Sequence, residues 1–309
     1  MMQFSKLRLL HPDVAPVTCG VIAVMDFGSS AINLTIYDVD QSQHGAYKIL
    51  DKTKIDTAAG AARTADGQFY LGQDVIAVLE DAAQSMAEML TQYSPDYVVA
   101  TATSVFRDAL DGPKWCEEQY QKRGWLINLI DGETEARLSA LGALSNIDCT
   151  SGLVIDQGGG SLEVYDISSG RSASFPFGVY SLMKLAEGSP LRATQMVEEA
   201  LQQLGWVAEV DGDLVTVGRA MRTIGKMLVG EETQQKTVSR DAMMAMATDL
   251  TTGRVDAGCL KAYPGYETRL PYRGAVLQAV LKVSPLQRIR FADFALREGV
   301  LLTQTGWTK

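Results

Sequence analysis

The sequence predicts an α/β protein made of two related domains. A strand, a tight turn of small residues headed by a carboxylate and a returning strand occur twice, around Asp26-Phe-Gly-Ser-Ser30 and around Asp156-Gln-Gly-Gly-Gly-Ser161. Strand-like and helix-like segments alternate along the chain, the pattern of a mixed sheet covered by helices. At 309 residues the chain is long enough for two domains of ordinary size, each burying its own core.

The elements follow in order. Val21 to Met25 enters the first turn and Leu34 to Tyr37 leaves it. Gln73 to Gln92 is an amphipathic helix with Val75, Leu79, Ala82, Met86 and Met89 on one stripe. Tyr97 to Thr103 is a buried strand that runs into Ser104-Val-Phe-Arg107-Asp108. Pro113 suits the first turn of a helix reaching Arg123, and the strand Trp125 to Ile130 follows. Thr134 to Asn146, rich in alanine and leucine, is another helix. Ser145 to Gly152 is polar and turn-like, and the strand–turn–strand pattern restarts after it. The expected domains are therefore 1–148 and 149–295, with a final helix, about 296–309, as a candidate to pack back on the first. In the second domain Leu153 to Ile155, Leu162 to Tyr165, Ala173 to Phe177 and Leu214 to Val217 are strands. Helices are expected from the cap Thr194 to Leu204, over Ala220 to Leu228, after the cap Ser239 to Leu250, and over Gly274 to Val283. A short strand, Arg288 to Phe291, and a helix, Leu296 to Leu302, close the chain.

Composition excludes several classes. Hydrophobic content of 46% and charged content of 21% are those of a folded soluble protein, and no apolar run is long enough to span a membrane. The lead-in Met1 to Val17 has no signal-peptide core, and a cytoplasmic location is expected. A net charge of −9 argues against nucleic-acid binding, which needs a basic surface. Cys19, Cys116, Cys149 and Cys259 form no CxxC pair and read as reduced, incidental thiols. His11 and His44 lack partners at ligand spacing, so zinc and histidine-driven nucleophilic chemistry are not expected.

The two turns carry the chemistry. Glycine and serine let backbone N–H groups approach a phosphate, and successive N–H groups form anion-binding nests. Gly28, Ser29 and Ser30 in the first turn, and Gly158, Gly159, Gly160 and Ser161 in the second, are the phosphate-binding candidates. A carboxylate beside such a nest implies a bridging Mg²⁺. Asp156, ending a buried strand at the three-glycine run, is the first metal-ligand candidate, with Asp26 assisting. An Asx turn would use an aspartate there, but does not account for three glycines. Glu163 stands two residues beyond Ser161, on the same face by strand alternation. Arg107 follows a buried strand and could neutralise charge on a transferring phosphoryl group, with a salt bridge to Asp108 as its competing use. Glu133 and Glu135 sit in a first helical turn, where carboxylates are favoured by the helix dipole.

The doubled turns resemble the phosphate loops of the sugar kinase, actin and heat-shock ATPase superfamily, which implies two actin-like (ribonuclease H-like) domains with a cleft between them. Further motifs narrow the likeness. Ala102-Thr-Ser-Val-Phe-Arg107-Asp108-Ala109, Ile130-Asp-Gly-Glu133-Thr-Glu135-Ala-Arg137-Leu138, Val154-Ile-Asp156-Gln-Gly-Gly-Gly160-Ser161-Leu-Glu163 and Leu296-Arg-Glu-Gly299 resemble, in order, the motifs of the exopolyphosphatase and guanosine pentaphosphate phosphatase (Ppx/GppA) family. The resemblance implies Mg²⁺- or Mn²⁺-dependent hydrolysis of the terminal phosphoanhydride of inorganic polyphosphate, with guanosine pentaphosphate as a related substrate. It makes Glu135 the general base on the attacking water, Arg107 a catalytic arginine, Glu163 a holder of metal-bound water and Arg269 a substrate contact, and it suggests a homodimer. The chain departs from the pattern at Ser30, Ala31 and Asn33, where the family carries an asparagine, a serine and a basic residue. It also has Gly218-Arg219-Ala-Met-Arg222-Thr223 in place of a Gly-Gly-Thr run, and ends without the long helical extension of larger members. The altered first loop keeps a second reading open, a non-catalytic binder of guanosine tetra- or pentaphosphate or of polyphosphate. An ATP-dependent kinase or ATPase of the superfamily is a third, with no nucleoside-specific motif to support it.

Overall fold

The structure, a computed structural model, describes residues 15–40, 47–62, 68–230, 237–255 and 267–306. His11, His44, Cys259 and most of the lead-in lie outside these residues. The chain forms two compact units: one takes the described residues through Gly142 and again from Leu296, and the other is Ala143–Ala295.

In the first unit the apolar run before Asp26 becomes β1 (Cys19–Phe27), which turns back through Gly28 into β2 (Ala31–Asp40) and on to β3 (Tyr47–Asp56). Helix α1 (Gln73–Tyr93) leads to β4 (Tyr97–Ala102), and α2 (Ser104–Asp108) and α3 (Gly112–Arg123) lead to β5 (Ile127–Leu129) and α4 (Gly132–Ser145). The sheet order is β3-β2-β1-β4-β5, with β4 parallel to β1 and β5 parallel to β4. Alternation along β1 divides its side chains between two cores. Ala23, Met25 and Phe27 face α1, meeting Leu79, Ala82 and Met86 of the expected stripe. Ile22 and Val24 face the other way, onto Leu138 of α4 and Leu296, Val300 and Leu301 of the last helix (Leu296–Thr305).

The second unit repeats the plan with β6 (Gly152–Gln157), β7 (Leu162–Asp166), β8 (Ser172–Phe175), α5 (Val179–Leu185), α6 (Pro190–Leu204), β9 (Asp213–Val217), α7 (Arg219–Val229), β10 (Thr237–Ser239), α8 (Arg240–Thr251), α9 (Leu270–Val283) and β11 (Arg288–Phe291). Its sheet order is β10-β11-β9-β6-β7-β8. Both units therefore hold the same core: an antiparallel three-strand meander, then two strands parallel to its first. This is an α/β fold of two actin-like domains. The last helix, Leu296–Thr305, is α10.

Several elements differ from expectation. Thr194 is not a cap: Ser189 accepts from Arg192 N, helix α6 starts at Pro190, and Thr194 lies buried inside it with its hydroxyl bonded to Pro190 O. Helix α9 begins at Leu270 rather than Gly274, with Pro271 in its first turn. Strand β3 was not expected, because its lysines and aspartates obscure any apolar alternation, as befits an exposed edge strand. Among the described residues no helix is long and apolar enough to cross a membrane. Cys19, Cys116 and Cys149 are free thiols, and burial pushes that of Cys116 up to about 12.

Candidate active site

In the second unit the turn after β6 is closed by a hydrogen bond from Gly158 N to Ser161 O at 2.9 Å. The three carbonyls of Gly158, Gly159 and Gly160 are all taken by the start of α5. Val179 N donates to Gly158 O (3.1 Å), Tyr180 N to Gly159 O (2.9 Å) and the Ser181 hydroxyl to Gly160 O (2.9 Å). A trans peptide points its N–H opposite to its C=O. The N–H groups of Gly159, Gly160 and Ser161 are therefore turned away from α5, and none has an acceptor within the described residues. Three adjacent amides of this kind make an anion nest. Gly178 permits the close approach: a Cβ there would lie 2.3 Å from Gly160 N and Ser161 N.

Two carboxylates stand beside the nest. Asp156 and Glu163 are register partners across β6 and β7, so both side chains lie on one face. Glu163 is only 2% exposed, and its Oε1 accepts from the Ser174 hydroxyl at 2.9 Å, the next residue along the same row on β8. Arg269, at the start of α9, donates to the Tyr180 hydroxyl at 3.3 Å and so touches the segment that supports the nest. Arg273, one turn further on, donates to Gln157 O. Sequence reasoning missed Gly178, Ser181 and Arg273, since none lies in a recognisable motif. Of the other two arginines, Arg219 is exposed at the first residue of α7. Arg222 is spent on Ala292 O at 2.8 Å.

The first unit has a turn closed in the same way, with two of its carbonyls captured rather than three. Gly28 N bonds Ala31 O at 3.0 Å. The segment after β3 takes the loop carbonyls, with Thr57 N and Ala58 N on Ser30 O (both 3.1 Å) and Gly60 N on Ser29 O (2.7 Å). The Ser29 hydroxyl meets that of Ser104 at 2.9 Å. Asp26 pairs in register with Asn33, whose amide donates to its Oδ2 at 3.0 Å.

The structure brings Arg107 and Glu135 together, within the first unit. Arg107, on α2, donates to Ile130 O at 2.6 Å, and its Nη1 lies 3.7 Å from Glu135 Oε2. Its Nε is 3.5 Å from Asp108, so the competing use expected for it also exists. Glu135 is 8% exposed, in the first turn of α4. That turn is fixed by Asp131, which accepts Thr134 N on its side chain (2.7 Å) and Glu135 N on its carbonyl (2.9 Å). Hydrogen bonds donated by the Thr134 N–H and side chain, aided by Arg107 and Arg137, hold the Asp131 carboxyl below the usual aspartate range. From below, Gly299 of α10 lets the helices touch, since a Cβ there would sit 1.8 Å from Leu138 O. Its neighbour Glu298 is buried and accepts from the Tyr37 hydroxyl at 2.8 Å. The closing motif thus supports α4.

Among the described residues no group of three or more histidine, cysteine, aspartate or glutamate side chains is placed to hold a metal. The Asp156–Glu163 pair nonetheless fits Mg²⁺: two carboxylates on one face beside open amides suit an ion that keeps waters and takes substrate phosphate oxygens.

The sequence pattern of the Ppx/GppA phosphatase family matches residues 38–306. A Haemophilus influenzae protein named "Putative exopolyphosphatase" is 24% identical over 305 residues, covering 91% of this chain and 90% of its own. "Retrograde regulation protein 2" of Saccharomyces cerevisiae is 22% identical over 236 residues, 65% of this chain, which matches only 40% of that longer protein. Among solved structures, an exopolyphosphatase from Cytophaga hutchinsonii superposes with a TM-score of 0.78 at 19% identity, covering 94% of this chain and 99% of its own. The Aquifex aeolicus PPX-GPPA enzyme gives 0.74 at 19% identity, with 92% and 99% covered. At these identities the structures share the fold.

Proposed function

This chain belongs to the Ppx/GppA phosphatase family, and from that premise we propose that it is an exopolyphosphatase, removing the terminal phosphate of inorganic polyphosphate, with guanosine pentaphosphate as a related substrate. The observation that carries the reading is the nest at 159–161, whose three N–H groups are turned out by the capture of every carbonyl behind them. It binds a phosphate group by backbone alone. Ser29 and Ser30 contact phosphate from the first loop, Asp156 and Glu163 would hold Mg²⁺, and Arg269 contacts substrate. The ion would supply charge neutralisation of the phosphoanhydride oxygens. Glu135 takes a proton from the attacking water as its oxygen bonds to the terminal phosphorus, and the remaining polyphosphate departs as the leaving group. Arg107, already aligned on Glu135, neutralises charge on the equatorial oxygens.

The test is Mg²⁺-dependent phosphate release from long-chain polyphosphate, short polyphosphate and guanosine pentaphosphate. Glu135→Gln is expected to lower release by about 10²- to 10⁴-fold, the usual contribution of a general base. Release unchanged by that substitution removes Glu135 from the role.

A second reading is a non-catalytic binder of the same anions. Ser30, Ala31 and Asn33 favour it, as does the name of the yeast relative, a regulation protein. Binding of the anions with no release from any of them would select it.

A further inference from the structure

We propose that Lys54, on the edge strand β3, is a phosphate-contacting residue of the first loop and supplies its cation; the inference rests on the phosphate-handling reading of that loop. The argument starts from register. Asp26 on β1 pairs with Asn33 on β2, and Asn33 pairs with Lys54 on β3, so the three side chains form one row on one face of the sheet. Two strand spacings separate Lys54 from Asp26, on the order of 10 Å between backbones, a gap that a phosphate group and a lysine stem can close together. The equivalent row of the second unit is Asp156, Glu163 and Ser174. There the third-strand side chain already reaches inward, the Ser174 hydroxyl bonding Glu163 at 2.9 Å. In the first unit the same third position holds an ammonium group.

The ammonium stands at the level of the loop. Lys54 Nζ is 2.5 Å from Asp56 Oδ1, and Asp56 is the register partner of Ala31, the residue that closes the turn. Thr57 and Ala58, which follow directly, donate to Ser30 O. The side chains of Lys54 and Asp56 are 42% and 76% exposed, and an exposed pair of this kind is weak. A polyanion can therefore draw the ammonium from Asp56 at small cost, whereas Asn33, committed to Asp26, brings no charge. Inorganic polyphosphate, or the phosphate arm of a nucleotide, is the chemistry that fits.

The experiment measures binding of linear inorganic tripolyphosphate by calorimetry, in Mg²⁺ buffer, to the full chain carrying Glu135→Gln so that turnover does not intrude. Adding Lys54→Glu is expected to weaken binding by about tenfold, as a charge-assisted contact becomes a like-charge one, while Lys54→Arg stays near the parent. Lys52→Glu, on the same face but two residues further from the turn, is expected to change binding much less. Binding unaltered by Lys54→Glu, or weakened equally by Lys52→Glu, overturns the assignment and leaves the function standing. A parent chain that binds no tripolyphosphate overturns both.

Discussion

Asp131 shows how much rests on one side chain that does no chemistry itself. It caps the first turn of α4, and losing such a cap costs about 1 kcal/mol, so Asp131→Ala is expected to lower stability by that amount in urea unfolding. Its carboxyl sits below the ordinary range in the folded chain. The extra stability from ionisation is therefore complete above the unfolded value, about pH 4, and is lost as pH falls through the depressed folded value. Asp131→Asn keeps a capping oxygen, so its stability gap from the parent is expected to close in acid; a gap unchanged from pH 7 to pH 3 would count against this account. The main candidates at this scale were legible in the sequence because each occupies a motif: Asp156 before three glycines, Glu135 at a helix start, Arg107 after a buried strand. Ser181, Arg273 and Lys54 were not, since each reaches its loop only through pairing or packing that a single segment does not encode.

Among the elements, the short segments that stand behind the loops were the least readable. Helix α5 is seven residues long with weak periodicity, yet it captures all three carbonyls of the second loop. Strand β3 mixes lysines and aspartates among its few apolar residues without regular alternation, an edge-strand pattern that resembles a loop in one dimension. By contrast α1, with its apolar stripe, was found to within a residue at its C-terminal end. Helix α10 was visible, but its contact was not. Gly299 lies against the Leu138 carbonyl with no room for a methyl group. Gly299→Ala must part α10 from α4, and overpacking of this kind costs about 1–3 kcal/mol. A thermal midpoint within 1 °C of the parent, where a loss of about 2–4 °C per kcal/mol is expected for a chain of this size, would show that the helices yield freely.

For the molecule as a whole, the duplicated fold was legible because the doubled turn marks the same place in both sheets, after β1 and after β6. Each unit encloses its own apolar clusters. Among the described residues, the core of the second, from Leu153 to Phe291, uses none of the first. A fragment of residues 143–295 is therefore expected to unfold cooperatively on its own, which denaturant titration followed by Trp206 fluorescence would test. A chain stopped at 295 is in a different position. It loses Leu296, Val300 and Leu301 from the core that covers Ile22, Val24 and Tyr37, a burial worth about 6 kcal/mol at roughly 2 kcal/mol per side chain. That is comparable to the whole stability of an ordinary domain, so the first unit of this shortened chain is expected to be protease-sensitive while the second resists.

The return of the chain to its first unit at Leu296 bears on how the protein is made. On the ribosome, β1 to β5 emerge before the second unit but wait for about 170 further residues before the helix that seals one face of their sheet exists. At typical elongation rates that interval is roughly 10–30 s. The second unit can complete its core within it. The unit whose strands emerge earlier is thus finished after the other, and its sheet face of Ile22, Val24 and Tyr37 is the surface a nascent-chain chaperone would meet.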